Sequence, residues 1–204
     1  MHNNNMLLFE KYARQYLKSN IRLLEIGPGI IPSLIQEKMG NETIEWRTLD
    51  IVSTENLDYL AEDEYRFPVP DSSFDVVFSN QVIEHVKKIW VWMSEVSRVC
   101  KPGGHVITIN PVNWPYHIDP VDCWRIYPEG MKALYDDAGL EVILSIRERL
   151  DFSKRAAFRR LFSKTKKAFI HPRTFILNFL EGKTEMYDEY AEDVITIGRK
   201  IGKE

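Results

Sequence analysis

The stretch Arg22-Leu-Leu-Glu-Ile-Gly-Pro-Gly29 decides the fold. An apolar strand, Ile21 to Ile26, runs into two glycines spaced Gly27-x-Gly29, and a helical pattern follows from about Ser33 to Met39. Strand, glycine turn and helix make the first unit of a nucleotide-binding α/β sheet. Glycine lets the backbone turn sharply and approach a ligand where a side chain would clash. The helix behind the turn presents unpaired N–H groups to that ligand.

The residues around the turn narrow the ligand. A dinucleotide fold prefers a third glycine, as G-x-G-x-x-G, for close helix packing. Here Pro32 stands at that place, with Ile30 and Ile31 between. A Gly-Lys-Ser/Thr phosphate loop is also missing. Glu25, close before the first glycine, is placed to receive a cationic amino group, so the turn suits a ligand with an amino-acid end better than a pyrophosphate. Gly-Pro-Gly also occurs in turns of purely structural purpose, so the rest of the chain has to agree.

Outward from this unit, strands and helices alternate. Leu7, Leu8, Phe9, Tyr12, Tyr16 and Leu17 recur at helical spacing, predicting an N-terminal amphipathic helix. A second strand, Ile44 to Leu49, ends at Asp50, and Phe74 to Phe78 forms a short buried strand ending in Ser79-Asn80. A helix covers about Ile83 to Val99, where Trp90, Trp92 and Met93 read as core rather than as a base-stacking surface. Val106 to Ile109 is a strand, and a helix opens at Pro128 and stops at Gly139. Val142 to Ile146 and Asp193 to Ile197 are the last strands. This alternation means a mostly parallel sheet covered on both faces.

With 204 residues, the chain is expected to be a single domain, 1–204, interrupted by a basic helical insertion at about 151–190 before the last strand. Met1-His-Asn-Asn-Asn5 shows no basic segment feeding an apolar one, so no secretory signal is expected. Cys100 and Cys123 are too few for a disulfide framework or a zinc site, and a reducing cytoplasm is the expected compartment. The net charge of −3 argues against nucleic acid as a partner.

The segment Phe67-Pro-Val-Pro-Asp-Ser-Ser-Phe-Asp-Val-Val-Phe-Ser-Asn-Gln-Val-Ile-Glu-His-Val86 resembles class I S-adenosylmethionine-dependent methyltransferases, in the subgroup with an L-P-F-P-D-x-S-F-D signature. Arg98-Val-Cys-Lys-Pro-Gly-Gly-His-Val106 looks like the same family's turn into its fifth strand. With Glu25-x-Gly27-x-Gly29, these motifs stand in the family's order over about Leu23 to Ile109. The departure is Ile30-Ile31, where many relatives carry a small residue. The resemblance implies a Rossmann-like, doubly wound, seven-stranded sheet, mostly parallel, with an antiparallel last strand. It also implies S-adenosyl-L-methionine as cofactor.

By the same resemblance, Glu25, Gly27 and Gly29 line the methionine end of the cofactor. Asp50, at the ligand-binding edge of the sheet, is placed to accept both ribose hydroxyls, with a turn or cap as its alternative role. Asp63 stands at about the distance where relatives place an adenine-contacting acid, although Glu62 and Glu64 lie beside it. Asn80 and Gln81 follow the fourth strand and are expected to face the cleft, or else to cap the strand end.

After the fifth strand, the proline-rich run from Asn110 to Pro128 carries many polar and aromatic side chains. Loops at these strand ends carry substrate chemistry. The pattern His117-x-Asp119-x-x-Asp122-x-x-Arg125 resembles methyltransferases of polysaccharide and nucleotide-sugar pathways. Asp119, Asp122 and Arg125 are therefore candidates for substrate binding, with an Arg125–Asp122 tie inside the loop as the structural alternative. Methyl transfer to a hydroxyl needs a base, and histidine suits it. His117 is the first candidate and His85 the second, while His105 reads as structural. The spacing matches no recognised metal motif, so no metal is assigned.

Between Ser153 and Lys167, basic residues and no acid accompany a helical apolar stripe. Such a helix lies on anionic lipid or grips an anionic, lipid-linked substrate at the membrane periphery. Its ordinary alternatives are a solvated basic face and a homodimer contact. The expected function is methylation of a small molecule, on oxygen of a sugar-like or lipid-linked acceptor. The alternative is a non-catalytic S-adenosylmethionine-binding partner or regulatory module.

Overall fold

A computed structural model of the chain describes residues 3–118, 120–150 and 192–202. The expected basic helical insertion and Asp119 lie outside the described residues. Seven strands form one sheet: β1 (Arg22–Ile26), β2 (Glu45–Asp50), β3 (Tyr59–Leu60), β4 (Phe74–Asn80), β5 (Cys100–Asn113), β6 (Leu140–Glu148) and β7 (Glu192–Lys200). Their order is β3-β2-β1-β4-β5-β7-β6. The first five strands pair in parallel, and β7 runs antiparallel to both β5 and β6. This is the expected Rossmann-like architecture with its reversed last strand.

Helices α1 (Asn3–Leu8), α2 (Leu34–Met39), α3 (Ile89–Val99) and α4 (Pro128–Asp137) cover the two faces. Alternation along the strands splits the core. Leu24 and Val77 turn to one face, where Trp92 and Met93 of α3 and Met131 and Tyr135 of α4 pack. Leu23, Val76 and Phe78 turn to the other face, against Leu8, Phe9 and Ala13 of the N-terminal segment and Ile35 of α2. Central parallel strands buried on both sides need apolar residues at consecutive positions, which is why β4 has no clear alternation. Each large side chain so buried contributes roughly 1.5–3 kcal/mol relative to leaving it exposed.

Three expectations need correction, and one strand is not read from the sequence. The N-terminal helix is not one uniform helix: α1 passes into a π-helical turn at Phe9–Ala13 and a 3-10 turn at Arg14–Tyr16. The segment expected as a helix from Ile83 is divided into a 3-10 turn, Ile83–His85, and α3. Within α3, Trp92 and Met93 are core, but Trp90 lies 49% exposed, because positions 89, 92, 93, 96, 97 and 99 are the buried ones. The two-residue strand β3 has no pattern of its own and pairs only with Leu49 and Asp50.

The register builds the ligand edge. Ile26 lies beside Leu49 of β2 and Ser79 of β4, so Gly27, Asp50 and Asn80 come level at the same end of the sheet. Two separated motifs meet through Arg98 of α3. Its guanidinium donates to the carbonyls of Phe67 and Val69 and to the carboxylates of Asp71 and Glu95, using all five of its N–H groups. The proline-flanked turn before β4 is thereby clamped to the helix after it.

Candidate active site

The glycine turn is built by backbone geometry. Gly27 has φ +68°, and its N–H donates to the Leu49 carbonyl at 2.9 Å. A Cβ added to Gly27 would lie 2.5 Å from Cγ2 of Val82. Gly29 also has a positive φ, but a Cβ there would meet open space, so its backbone is accessible to a ligand. Ser33 caps α2 by accepting from the Gln36 amide at 3.0 Å. The same hydroxyl donates to Oε2 of Glu25 at 2.9 Å, and the Trp46 indole donates to that oxygen at 2.8 Å. Burial pushes the Glu25 carboxyl up, and these two hydrogen bonds oppose the shift.

At the other expected cofactor positions, Asp50 ends β2 and accepts from the Val52 amide through Oδ1 at 3.0 Å. Asp63 accepts from the Tyr65 amide at 2.7 Å in an exposed turn. Asn80 is nearly buried, and its Oδ1 has no hydrogen-bond partner among the described residues. Gln81, at φ +56°, donates from its amide to Asp193 Oδ1 at 3.0 Å, tying the end of β4 to β7.

A cleft of about 290 Å³ opens at this edge, lined by Gly27, Pro28, Asn80, Gln81, Glu84, His85, Trp114 and His117. The turn after β4 and the loop after β5 thus reach the glycine turn together. Main-chain bonds hold them: the Cys123 and Trp124 amides donate to the Glu84 carbonyl, and the Trp124 indole donates to the Val86 carbonyl. Asn110 donates to the Ile126 carbonyl at 3.0 Å, closing the far end of the loop.

Arg125 is the brace of that loop. Its five N–H groups donate to the Trp114, Pro115 and Trp124 carbonyls and to both oxygens of Asp122, including a bond of 2.7 Å. The guanidinium holds the Asp122 carboxyl down to about 2. Asp122 also accepts from the His117 amide at 2.9 Å. The imidazoles of His85 and His117 meet edge to face with centroids 5.1 Å apart. Nδ1 of His85 is engaged by the Val121 carbonyl and Nδ1 of His117 by the Pro115 carbonyl. His105 stacks on Tyr16 away from the cleft, as a structural residue.

Glu84 was not singled out by pattern. Its side chain is 1% exposed, and neither oxygen has a hydrogen-bond partner among the described residues. The available signal was a carboxylate set between Val82, Ile83 and Val86 directly after a buried strand.

Residues 9–108 match the family described as methyltransferase domain. The match spans just under half of the chain. The match covers the sheet edge from Gly27 to Asn80 but stops before the loop after β5. An uncharacterized methyltransferase of Schizosaccharomyces pombe is 29% identical over 115 residues, 47% of this chain and 41% of that protein. The matched part is therefore less than half the length of that relative. A methyltransferase-like structure from Bacillus halodurans aligns with TM-score 0.63 and 15% identity, covering 97% of this chain and 99% of the other. Phosphoethanolamine N-methyltransferase 2 of Haemonchus contortus, in complex with S-adenosylmethionine, aligns with TM-score 0.61 and 17% identity, over 98% of this chain and 53% of that one. At these identities the likeness to solved structures is one of fold. Among the described residues, no helix of the domain is long and apolar enough to cross a membrane.

The residues present fit the cofactor. The sheet edge offers an open approach at Gly29, a carboxylate behind the turn, an unpartnered buried oxygen on Asn80 and a second carboxylate, Asp50, at the same level.

Proposed function

We propose that the chain transfers a methyl group from S-adenosylmethionine to oxygen of a small, sugar-like or lipid-linked acceptor. One observation carries the reading: the cleft joins cofactor-edge residues (Gly27, Asn80, Gln81) to acceptor-side residues (His85, Trp114, His117) in a single space. Its volume suits the reacting ends of two ligands rather than the whole of either.

In this reading, Glu25, Gly27 and Gly29 receive the methionine end, Asp50 the ribose, and Asp63 the adenine side, with Asn80 and Gln81 beneath. The bound cofactor supplies an electrophilic methyl group, and the chain's task is to align the acceptor and move its proton. Trp114 offers an apolar wall and the neighbouring amides offer hydrogen bonds, a lining suited to a hydroxylated ring. His85 and His117 have Nδ1 engaged, which directs Nε2 to proton traffic. Asp122 and Arg125 shape the loop, since the Arg125 guanidinium is already saturated. Asp119 and the basic stretch from Ser153 to Lys167 are assigned to the outer part of the acceptor, the latter attracting an anionic or lipid-linked portion.

Calorimetry with S-adenosylhomocysteine, followed by label transfer from methyl-labelled cofactor into sugar and lipid extracts, tests the reading. The expected result is saturable binding and a methylated product identified by mass spectrometry. Binding of NAD with no response to S-adenosylhomocysteine would overturn it.

A further inference from the structure

Two groups lining the cleft have side-chain atoms without a hydrogen-bond partner among the described residues, Oδ1 of Asn80 and the carboxyl of Glu84, and of the two it is the carboxyl that can carry a charge or take a proton. It stands on the turn Ile83–His85 just after β4 and lines the cleft, yet neither oxygen makes a hydrogen bond of normal geometry among the described residues, its own backbone amide being the one N–H that acts on it. A buried carboxyl without donors is costly, so a fold that keeps one facing a cavity keeps it for a ligand. Main-chain bonds from Cys123 and Trp124 to the Glu84 carbonyl pin the residue in place without using its side chain.

The groups around it come from three elements. His85, on the same turn, has Nε2 3.8 Å from Oε1 of Glu84. Asp122 and Arg125 act from the acceptor loop and Asp193 from β7, while His117 faces His85 across the cleft. Arg125 is engaged with Asp122, and among the described residues lining the cleft there is no lysine or arginine. Burial above all, with Asp193 and Asp122 adding to it against the pull of the residue's own backbone amide and of Arg125, pushes the Glu84 carboxyl up to about 8.

We infer that Glu84 receives the methyl acceptor, its carboxylate taking the hydrogen bond of the acceptor hydroxyl and then its proton. The inference rests on the methyl-transfer reading above. The hydroxyl oxygen bonds to the sulfonium methyl carbon, the carbon–sulfur bond breaks with its electron pair going to sulfur, and the hydroxyl proton passes to Glu84. His85 and then the partly exposed His117 lie on the way from Glu84 to solvent. The same surroundings select against a phosphate or carboxylate at the reacting atom, because such an anion would meet a buried carboxyl and, among the described residues lining the cleft, no lysine or arginine.

The test compares the full wild-type chain with Glu84→Gln and Glu84→Asp. S-adenosylhomocysteine should bind wild type and Glu84→Gln alike in calorimetry, which separates the acceptor role from the cofactor reading. In label transfer to sugar and lipid extracts, wild type should give an O-methylated product, with kcat/KM rising with pH up to about 8. Glu84→Gln should be slower by roughly 10²–10⁴-fold and lose that pH limb, with partial recovery in Glu84→Asp. Independently of turnover, carbon NMR should show a carboxyl titrating near pH 8 that is missing from Glu84→Gln.

Near-normal turnover of Glu84→Gln with the pH limb intact would overturn the inference. So would loss of wild-type activity on chelation that magnesium restores, since the carboxyl would then be a cation ligand. A wild type that binds S-adenosylhomocysteine but transfers no label sinks the acceptor role and leaves the cofactor site standing. Failure to bind S-adenosylhomocysteine takes down both.

Discussion

Two buried carboxyls stand near the sheet edge in opposite surroundings. Glu25 is 2% exposed and accepts from the Ser33 hydroxyl and the Trp46 indole through Oε2, whereas Glu84 is 1% exposed and neither of its oxygens has a hydrogen-bond partner of normal geometry among the described residues. Both have lost their hydration, and an unmet buried polar group costs about 1–3 kcal/mol. The cofactor end is thus held in shape by its own hydrogen bonds before anything binds. The acceptor end is braced around its rim, by Arg125, and left unmet at its centre. The difference separates a carboxyl already engaged through one oxygen from one whose two oxygens are left without a hydrogen bond.

The largest expected effect is at the cofactor end. Gly27→Val should abolish saturable S-adenosylhomocysteine binding, because the new Cβ falls 2.5 Å from Val82 Cγ2 at a φ of +68° that β-branched residues avoid. Calorimetry on a variant with native circular dichroism checks it. Retained binding would move the cofactor away from this turn.

The contrast between the carboxyls is sharpened by pH. The folded-state value of Glu84, about 8, lies above its ordinary 4.5. Its contribution is therefore fully present below about 4.5 and is lost as pH rises to about 8, a change on the order of a few kcal/mol. The wild-type melting temperature should fall across that window, and the fall should be much smaller in Glu84→Gln. A fall of the same sign remains in the variant from Glu25, whose carboxyl is also raised by burial. Equal pH profiles for the two proteins would show that Glu84 is hydrated in solution.

At the rim of the acceptor end, Arg125→Ala leaves Asp122 buried without its partner and releases three carbonyls. The expected loss is about 3 kcal/mol in urea denaturation, the low end for a broken buried pair because the arginine is partly exposed. An unchanged midpoint would mean that the loop is held by its main-chain bonds alone. The smallest effect expected is Ser33→Ala, about 1 kcal/mol from the lost cap of α2. It also removes one donor from Glu25 and so raises that carboxyl further, making the cofactor end more like the acceptor end.

The segments legible without coordinates were those whose physics is local. Gly27 and Gly29 need positive φ, strand β4 needs consecutive apolar residues, which Val76 to Phe78 supply, and Ser33 and Gly139 mark helix ends, so these features fall where pattern places them. The site was less legible. Arg125 and Asp122 were read both as substrate ligands and as a tie within the loop, and composition cannot count how many of an arginine's donors are already used. Trp90 and Trp92 look alike in sequence, and only the direction of α3 sends one to solvent and the other to the core.

By itself, the sequence determined the alternation of strands and helices and the glycine turn, and it carried the resemblance of the first half of the chain, because those rest on backbone conformation and on short motifs. Tertiary structure alone decided that β3 exists, that Arg98 joins two distant motifs, and that the acceptor loop closes over the turn after β4. It also decided which carboxyl is unmatched. Burial and hydrogen-bond partners are sums over residues far apart in the chain: Glu25 finds Trp46 from the next strand, and Glu84 is enclosed by a loop nearly 40 positions away without being given a donor.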